Sequence, residues 1–190
     1  EETRHEHLAE LRALYGFRTF SGRGARELKD WLFREAELAV SNEDIARSFV
    51  TECRRTRTVL PATSTIERLC ATALVDAERQ IETRIAGRLP IPIRVQLLAL
   101  LEETADDRVT RFVWLRQFEP GSNSSSANRL LDRLEYLQRV DLPEDLLAGV
   151  PAHRVTRLRR QGERYYADGM RDLPEDRRLA ILAVCASEWQ

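Results

Sequence analysis

Long apolar runs are missing from this chain of 190 residues, and no hydrophobic stretch approaches the length of a membrane span. An apolar segment of signal-peptide type is missing at the start as well. The expectation is a soluble, cytoplasmic protein with no membrane partner. Cysteine is scarce: Cys53, Cys70 and Cys185 are odd in number, far apart and without C-x-x-C spacing, which argues against a disulfide scaffold and for reduced thiols in a core. Histidine is equally scarce, and His5, His7 and His153 make no metal site, because residues two apart diverge on a helix and the third is remote. There is no glycine-rich phosphate loop, no G-x-S-x-G, no H-E-x-x-H and no Cys-His constellation with a supporting context. Acidic pairs such as Glu102-Glu103 and Asp106-Asp107 sit where helix ends and solvated faces place them. Enzyme activity and a cofactor therefore find no support in these residues. Methionine occurs once, at Met170, and the chain opens Glu1-Glu2-Thr3, so it reads as a piece of a longer protein.

Lysine occurs once, at Lys29, which leaves arginine to carry almost all of the positive charge. Arginine suits phosphate and guanine contacts, although genomic base composition explains the bias more simply. The net charge of −1 and isoelectric point near 6.4 fall below those of a free-standing nonspecific nucleic-acid binder. Local imbalance matters more than the total. The stretch from Arg54 to Leu69, RRTRTVLPATSTIERL, and the run from His153 to Arg164, HRVTRLRRQGER, are both basic.

The hydrophobic period is helical throughout. Thr3 with Glu6 has the pattern of a capping box ahead of Leu8, Leu11 and Leu14, and Gly16 is placed to stop that helix. Leu28, Trp31, Leu32, Ala36 and Ala39 recur at steps of three and four, and Ser41 with Asp44 caps a helix carrying Ile45, Phe49, Val50 and Cys53. Pro61 ends that helix, and Ser64 with Glu67 is expected to cap the next. Ile66, Leu69, Cys70, Ala73, Ala77, Ile81 and Ile85 then keep one face apolar, with Arg68, Glu78, Arg79, Glu82 and Arg88 outside it. Gly87, Pro90 and Pro92 punctuate the chain, dividing a helical unit of residues 1–89 from a second of residues 90–190. In the second, Val95, Leu98 and Leu101 predict a short helix, and the β-like run Val109 to Trp114 is read as helix. Gly121 to Ser126 is read as a linker or loop, and Ala127, Leu130, Leu131, Leu134 and Leu137 as another apolar stripe. Pro143, Pro151 and Pro174 are each expected to open a helix, the last two over 151–172 and 175–188. The fold class is all-α, a multi-helix chain whose N-terminal bundle resembles a helix-turn-helix.

Within that frame the candidate chemistry is DNA binding. Arg54, Arg55 and Arg57 can meet phosphates, while Thr63, Ser64, Thr65 and Arg68 sit where a helix N-terminus projects polar groups and backbone N–H donors. Taken alone, the segment suits an ordinary solvated helical hairpin better, since those far outnumber DNA readers. Phe17 to Arg26, FRTFSGRGAR, sets Arg18, Ser21, Arg23 and Arg26 in a glycine-containing turn that could also approach phosphate. The arginines of Arg154 to Arg164 spread around their helix, so packing and solvation are favoured there, with Tyr165 and Tyr166 turned inward.

Four segments in order then resemble one family: TRHEHLAELRALYGFRTFS at Thr3 to Ser21, TVLPATSTIERL at Thr58 to Leu69, LLDRLEYLQ at Leu130 to Gln138, and DLPEDRRLAILAVCASEW at Asp172 to Trp189. They resemble the N-terminal region of the Tn-three family of replicative transposases. The first two are the specific ones. The resemblance implies a bacterial, cytoplasmic protein that binds the terminal inverted repeats of its transposon through a multipart helical region. It places cutting and joining in a separate catalytic domain of the DDE type, with three acidic residues and divalent metal ions, with which nothing in this chain aligns. Double-stranded DNA at transposon ends is the implied partner, and a homodimer is the expected form of the full-length protein. The alternative is a helical scaffold that docks other domains or a second subunit without touching DNA.

Overall fold

A computed structural model describes residues 2–102, 110–116 and 124–189, with the backbone alone described for residues 2–5 and 8. The helices among them are α1 (Glu2–Leu14), α2 (Gly22–Ala36), α3 (Asn42–Arg55), α4 (Thr63–Arg88), α5 (Ile91–Ala99), α6 (Arg111–Arg116), α7 (Ser124–Gln138), α8 (Ala152–Arg164), α9 (Ala167–Arg171) and α10 (Glu175–Trp189). The all-α expectation holds. An isolated parallel bridge between Arg18 and Thr58 adds a strand-like contact to the first half. None of the described helices is long and apolar enough to cross a membrane. The chain divides into compact units Glu1–Glu78 and Arg79–Gln190, inside α4, whereas the punctuation at Gly87 and Pro90 marks the end of that helix.

In the N-terminal unit the core is built from one face each of α2, α3 and α4: Leu28, Leu32 and Ala36; Ile45, Phe49 and Cys53; Ile66, Cys70, Ala73 and Ala77. These are the three- and four-residue steps of the sequence, and small residues on α4 leave room for the larger side chains facing them. Phe20 stands edge-on to Phe49, with ring centroids 6.0 Å apart. The Ser41 hydroxyl accepts from the Asp44 N–H at 3.1 Å, as the cap pattern predicts. The start of α4 differs from expectation: the helix opens at Thr63, and the Ala62 carbonyl takes the N–H groups of Thr65 and Ile66, which puts Ser64 inside the first turn. Thr3 likewise lies inside α1 rather than at its cap. Burial pushes the Cys53 thiol up to about 11, with help from the Glu52 charge, and raises that of Cys70.

The C-terminal unit is organised on α10. Residues Leu179 to Ala186 are all buried, so this helix is apolar on every side and serves as the central rod, packed by α8, α5 and α7. Leu97, Leu100, Leu101, Phe112, Leu115, Leu158 and Met170 close around it. The second half of the chain departs from its sequence pattern at several points, each with a physical cause. Residues 151–172 are not one helix: Tyr165 is extended, and Arg116 donates from Nη1 to the Tyr165 carbonyl at 2.7 Å and from Nη2 to the Glu163 carbonyl, taking acceptors a continuing helix would need. Tyr166 is exposed rather than inward. Residues 144–149 turn instead of coiling, because Arg88 Nη1 gathers the carbonyls of Asp145, Leu146 and Ala148 at 3.1, 2.9 and 2.7 Å and Gly149 takes φ +71°. Glu82, expected outside, is buried with a carboxylate oxygen 3.6 Å from Arg177 Nε. On α5 the inward residue is Leu97 and Val95 is exposed. On α7, Leu130, Leu131 and Leu134 are exposed, while Ser126, Arg133 and Leu137 are buried and the Arg133 guanidinium lies 5.6 Å from the Trp114 ring centre. Val109, Glu103, Asp106, Asp107 and Gly121 to Asn123 lie outside the described residues.

Candidate nucleic-acid interface

Two helix ends and the loop between α1 and α2 build the site. Helix α1 stops in a Schellman turn: the Gly16 N–H donates to the Ala13 carbonyl at 3.2 Å and the Phe17 N–H to Arg12 at 2.8 Å, with Gly16 at φ +66°. Helix α3 stops in the same way, the Arg57 N–H donating to Arg54 at 3.1 Å and the Thr58 N–H to Cys53 at 2.8 Å. Here the left-handed residue is Arg57, at φ +49°, where glycine is the ordinary occupant. A bulky side chain in that region costs about 1–2 kcal/mol, and such strain concentrates where a side chain is needed for a task.

The two turns are tied together. The Arg18 N–H donates to the Arg57 carbonyl at 2.8 Å and the Val59 N–H to the Arg18 carbonyl at 2.9 Å, forming the parallel bridge. The Arg18 guanidinium also reaches the Thr56 carbonyl at 3.2 Å. An added Cβ at Gly16 would make only ordinary contact with Arg57 Nη1, at 3.6 Å, so it is the positive φ that calls for glycine there. Thr58 is buried under this join, its hydroxyl 3.0 Å from that of Thr56. Arg18 and Arg55 share a recess of about 240 Å³ with Gly24, Glu27, Trp31 and Arg34. Helix α2 brings that row by steps of three and four, so Arg34 was legible as part of the face that carries Glu27 and Trp31.

The sequence-derived candidates fall into four groups. Arg18, Arg54, Arg57 and Arg26 are exposed and have no carboxylate partner among the described residues. Arg23 and Arg55 are exposed but engaged: Arg23 Nε holds Glu27 at 2.8 Å, and Arg55 grips Glu52 through two bonds of 2.7 and 2.6 Å. Their spacing on one helix face allows this, and it lowers the positive charge they present. Ser21 precedes α2 and exchanges a 2.8 Å hydroxyl contact with Thr19 without capping the helix by its side chain. Thr63, Ser64, Thr65 and Arg68 occupy the first turns of α4, with Thr65 half-buried, and no hydrogen bond or ion pair joins them to the bridge. The run at 154–164 divides as the spreading of its arginines suggests: Arg154 is buried, and Arg159 pairs with Glu188 at 2.5 Å. Among the described residues no cluster of three or more His, Cys, Asp or Glu side chains could hold a metal.

The Arg55 hydrogen bond, opposed by burial and aided by charge, holds the Glu52 carboxyl below its ordinary range. A carboxyl lowered on folding adds stability above its unfolded value, and that contribution disappears as pH falls through the lowered native value. Glu52→Gln should therefore flatten the acid side of the stability curve below about pH 4.5, a change readable by urea titration across pH. A parallel downward shift with unaltered shape would deny the pair this role.

The described residues form an all-helical chain whose exposed Arg18, Arg54 and Arg57 gather at two tied helix ends. A family model described as a domain of unknown function, DUF4158, matches residues 1–73. The chain is 32% identical over 191 residues to the transposase for transposon Tn3926 of Escherichia coli, covering 99% of this chain and 19% of that protein. It is 31% identical to the transposase for transposon Tn21 of the same organism, over 99% of this chain and 19% of that protein. The transposase for transposon Tn501 of Pseudomonas aeruginosa is 31% identical over 98% of this chain and 19% of its own length. The chain is homologous to Tn-three family transposases over nearly its whole length, and it spans about a fifth of the curated relatives it matches.

Proposed function

We propose that this chain is part of the DNA-binding region of a transposase and that it recognises the terminal inverted repeats of its transposon. The observation that carries the reading is the Arg18–Thr58 bridge, which joins two basic segments distant in sequence and leaves Arg18, Arg54 and Arg57 exposed beside it. Phosphate contact falls to these three, with Arg26 flanking them, while the carboxylate-bound Arg23 and Arg55 contribute less. Thr63, Ser64, Thr65 and Arg68 would read bases from the first turns of α4, in the manner of a helix-turn-helix reader. Cutting and joining DNA, with the divalent metal it needs, is assigned to residues outside this chain.

Salt dependence of binding to inverted-repeat duplex tests this directly. Taking away one arginine–phosphate interaction lowers the slope of log affinity against log salt by about 0.9. The triple variant R18A/R54A/R57A should thus lose up to about 3 units of slope, whereas R55A should lose less than any of the three single variants. An unaltered slope in the triple variant removes the bridge from the interface. Arg57→Gly separates function from fold: it relieves the left-handed strain, so thermal stability should hold or rise while DNA affinity drops. A fall in both together would show that Arg57 serves the fold.

The exposed leucines Leu130, Leu131 and Leu134 on α7 favour a second role for the C-terminal unit, docking another domain or a second subunit. Sedimentation run beside the DNA titrations distinguishes the two roles, since a scaffold would associate without preferring transposon ends over random duplex.

A further inference from the structure

Beside the bridge lies a second feature, which shares Arg57 with the phosphate-binding surface and is otherwise not used by it. Ala13, Leu14, Tyr15, Gly16, Phe17 and Arg57 line an open cleft of about 530 Å³. Its walls are aliphatic and aromatic, with Tyr15 62% and Phe17 42% exposed, and its charged group is the guanidinium of Arg57. Among the described residues no carboxylate lines it. Gly16 contributes no side chain and is exposed, and Arg57 Nη1 lies near it. Rings exposed to this degree leave much of their apolar surface in water.

A free phosphate would find one guanidinium among apolar walls, and an apolar peptide would leave that cation without a counter-charge. A nucleotide matches both parts, presenting a flat apolar face to the rings and an anionic phosphate to Arg57. Stacked duplex DNA offers base edges and covers the base faces. We infer that the Leu14–Phe17 cleft takes a nucleobase lying outside the duplex stack, with its phosphate held by Arg57. The inference rests on the DNA-binding reading above and deepens it: the chain prefers DNA that is distorted, gapped or single-stranded at one position.

The test compares two probes on the 190-residue chain, a fully paired duplex and the same duplex carrying one unpaired adenine. The unpaired base should tighten binding about tenfold, the usual weight of one base–aromatic stack. In Y15A/F17A that preference should vanish while affinity for the paired duplex and its salt slope stay as they were; Tyr15→Phe should keep the preference. Both side chains are exposed, so matched melting curves will confirm intact folding. Equal binding of the two probes by the parent chain overturns the inference alone, as does a preference that survives in Y15A/F17A. Self-association that disappears in Y15A/F17A, with no base preference in the parent, would make the cleft a protein contact. Absence of binding to either probe at low salt would overturn the DNA-binding reading as well.

Discussion

Phe49→Ala is expected to unfold the N-terminal unit while leaving the C-terminal unit intact. Phe49 is fully buried at the centre of the cluster made by Leu28, Leu32, Ile45 and Cys53, and its ring meets that of Phe20 edge-on. Removing a buried phenylalanine costs about 3–5 kcal/mol, from forfeited transfer energy and the cavity left behind. Stability of about 0.05–0.15 kcal/mol per residue gives the unit of residues 1–78 about 4–12 kcal/mol in all, so the loss takes a large share of it and, at the lower end, all of it. The cysteines supply the readout. Cys53 and Cys70 are buried in this unit and Cys185 in the other, where burial pushes its thiol up to about 12, so in the parent chain all three should resist a thiol reagent at neutral pH. In F49A, Cys53 and Cys70 should react rapidly and Cys185 slowly. On the proposed function, DNA affinity should be lost with the fold in F49A, whereas in R18A/R54A/R57A it should fall while thiol protection stays intact. Phe49→Leu, which refills most of the volume, should restore protection. Slow reaction of all three thiols in F49A would mean that the core closes over the cavity.

The N-terminal unit was largely legible because its helices bury one face each, and that face repeats in the sequence at the helical period. Leu28, Leu32, Ile45, Phe49, Cys70 and Ala73 all lie where the pattern places them. The C-terminal unit was less so, because amphipathic spacing reports an apolar stripe and is silent on what covers it. Leu130, Leu131 and Leu134 follow the pattern and stay exposed. Helix breaks were hidden for a different reason: the carbonyls that end α8 and shape residues 144–149 are taken by Arg116 and Arg88, side chains remote in sequence. At the candidate interface the arginines could be named, and so could part of their availability. The pairs Arg23–Glu27 and Glu52–Arg55 stand at spacings of four and three, so their engagement was open to reading from the sequence. The left-handed backbone of Arg57 and the bridge to Arg18 depend on tertiary contact and had no sequence signature, although Gly16 marked the matching turn on α1.

Gly162→Ala carries the second large effect, and its sign is decided by a competition. Within a helix, alanine is favoured over glycine by about 0.8–1.0 kcal/mol, so on propensity alone the change would stabilise α8. Gly162 is buried, however, and faces α10, where an added Cβ would stand 2.3 Å from Cys185 Sγ and 3.1 Å from Ile181 Cγ2. The first distance is far inside van der Waals contact. Cys185 is itself buried on the central rod, so it cannot swing into solvent, and relief requires its Sγ to rotate against packed neighbours or α8 and α10 to separate. Overpacking of this kind costs about 1–3 kcal/mol and often more where a helix must shift. The clash outweighs the propensity gain, and the C-terminal unit should melt several degrees lower while the N-terminal unit is unaffected. Cys185→Ala alone leaves a small void and costs less. Combined with Gly162→Ala it removes the Sγ contact, leaving only the Ile181 methyl to give by a few tenths of an ångström. The double variant should therefore be more stable than Gly162→Ala, a coupling of opposite sign to the independent sum. If the two changes simply add, the close approach of α8 to α10 at this point is not what limits the residue to glycine.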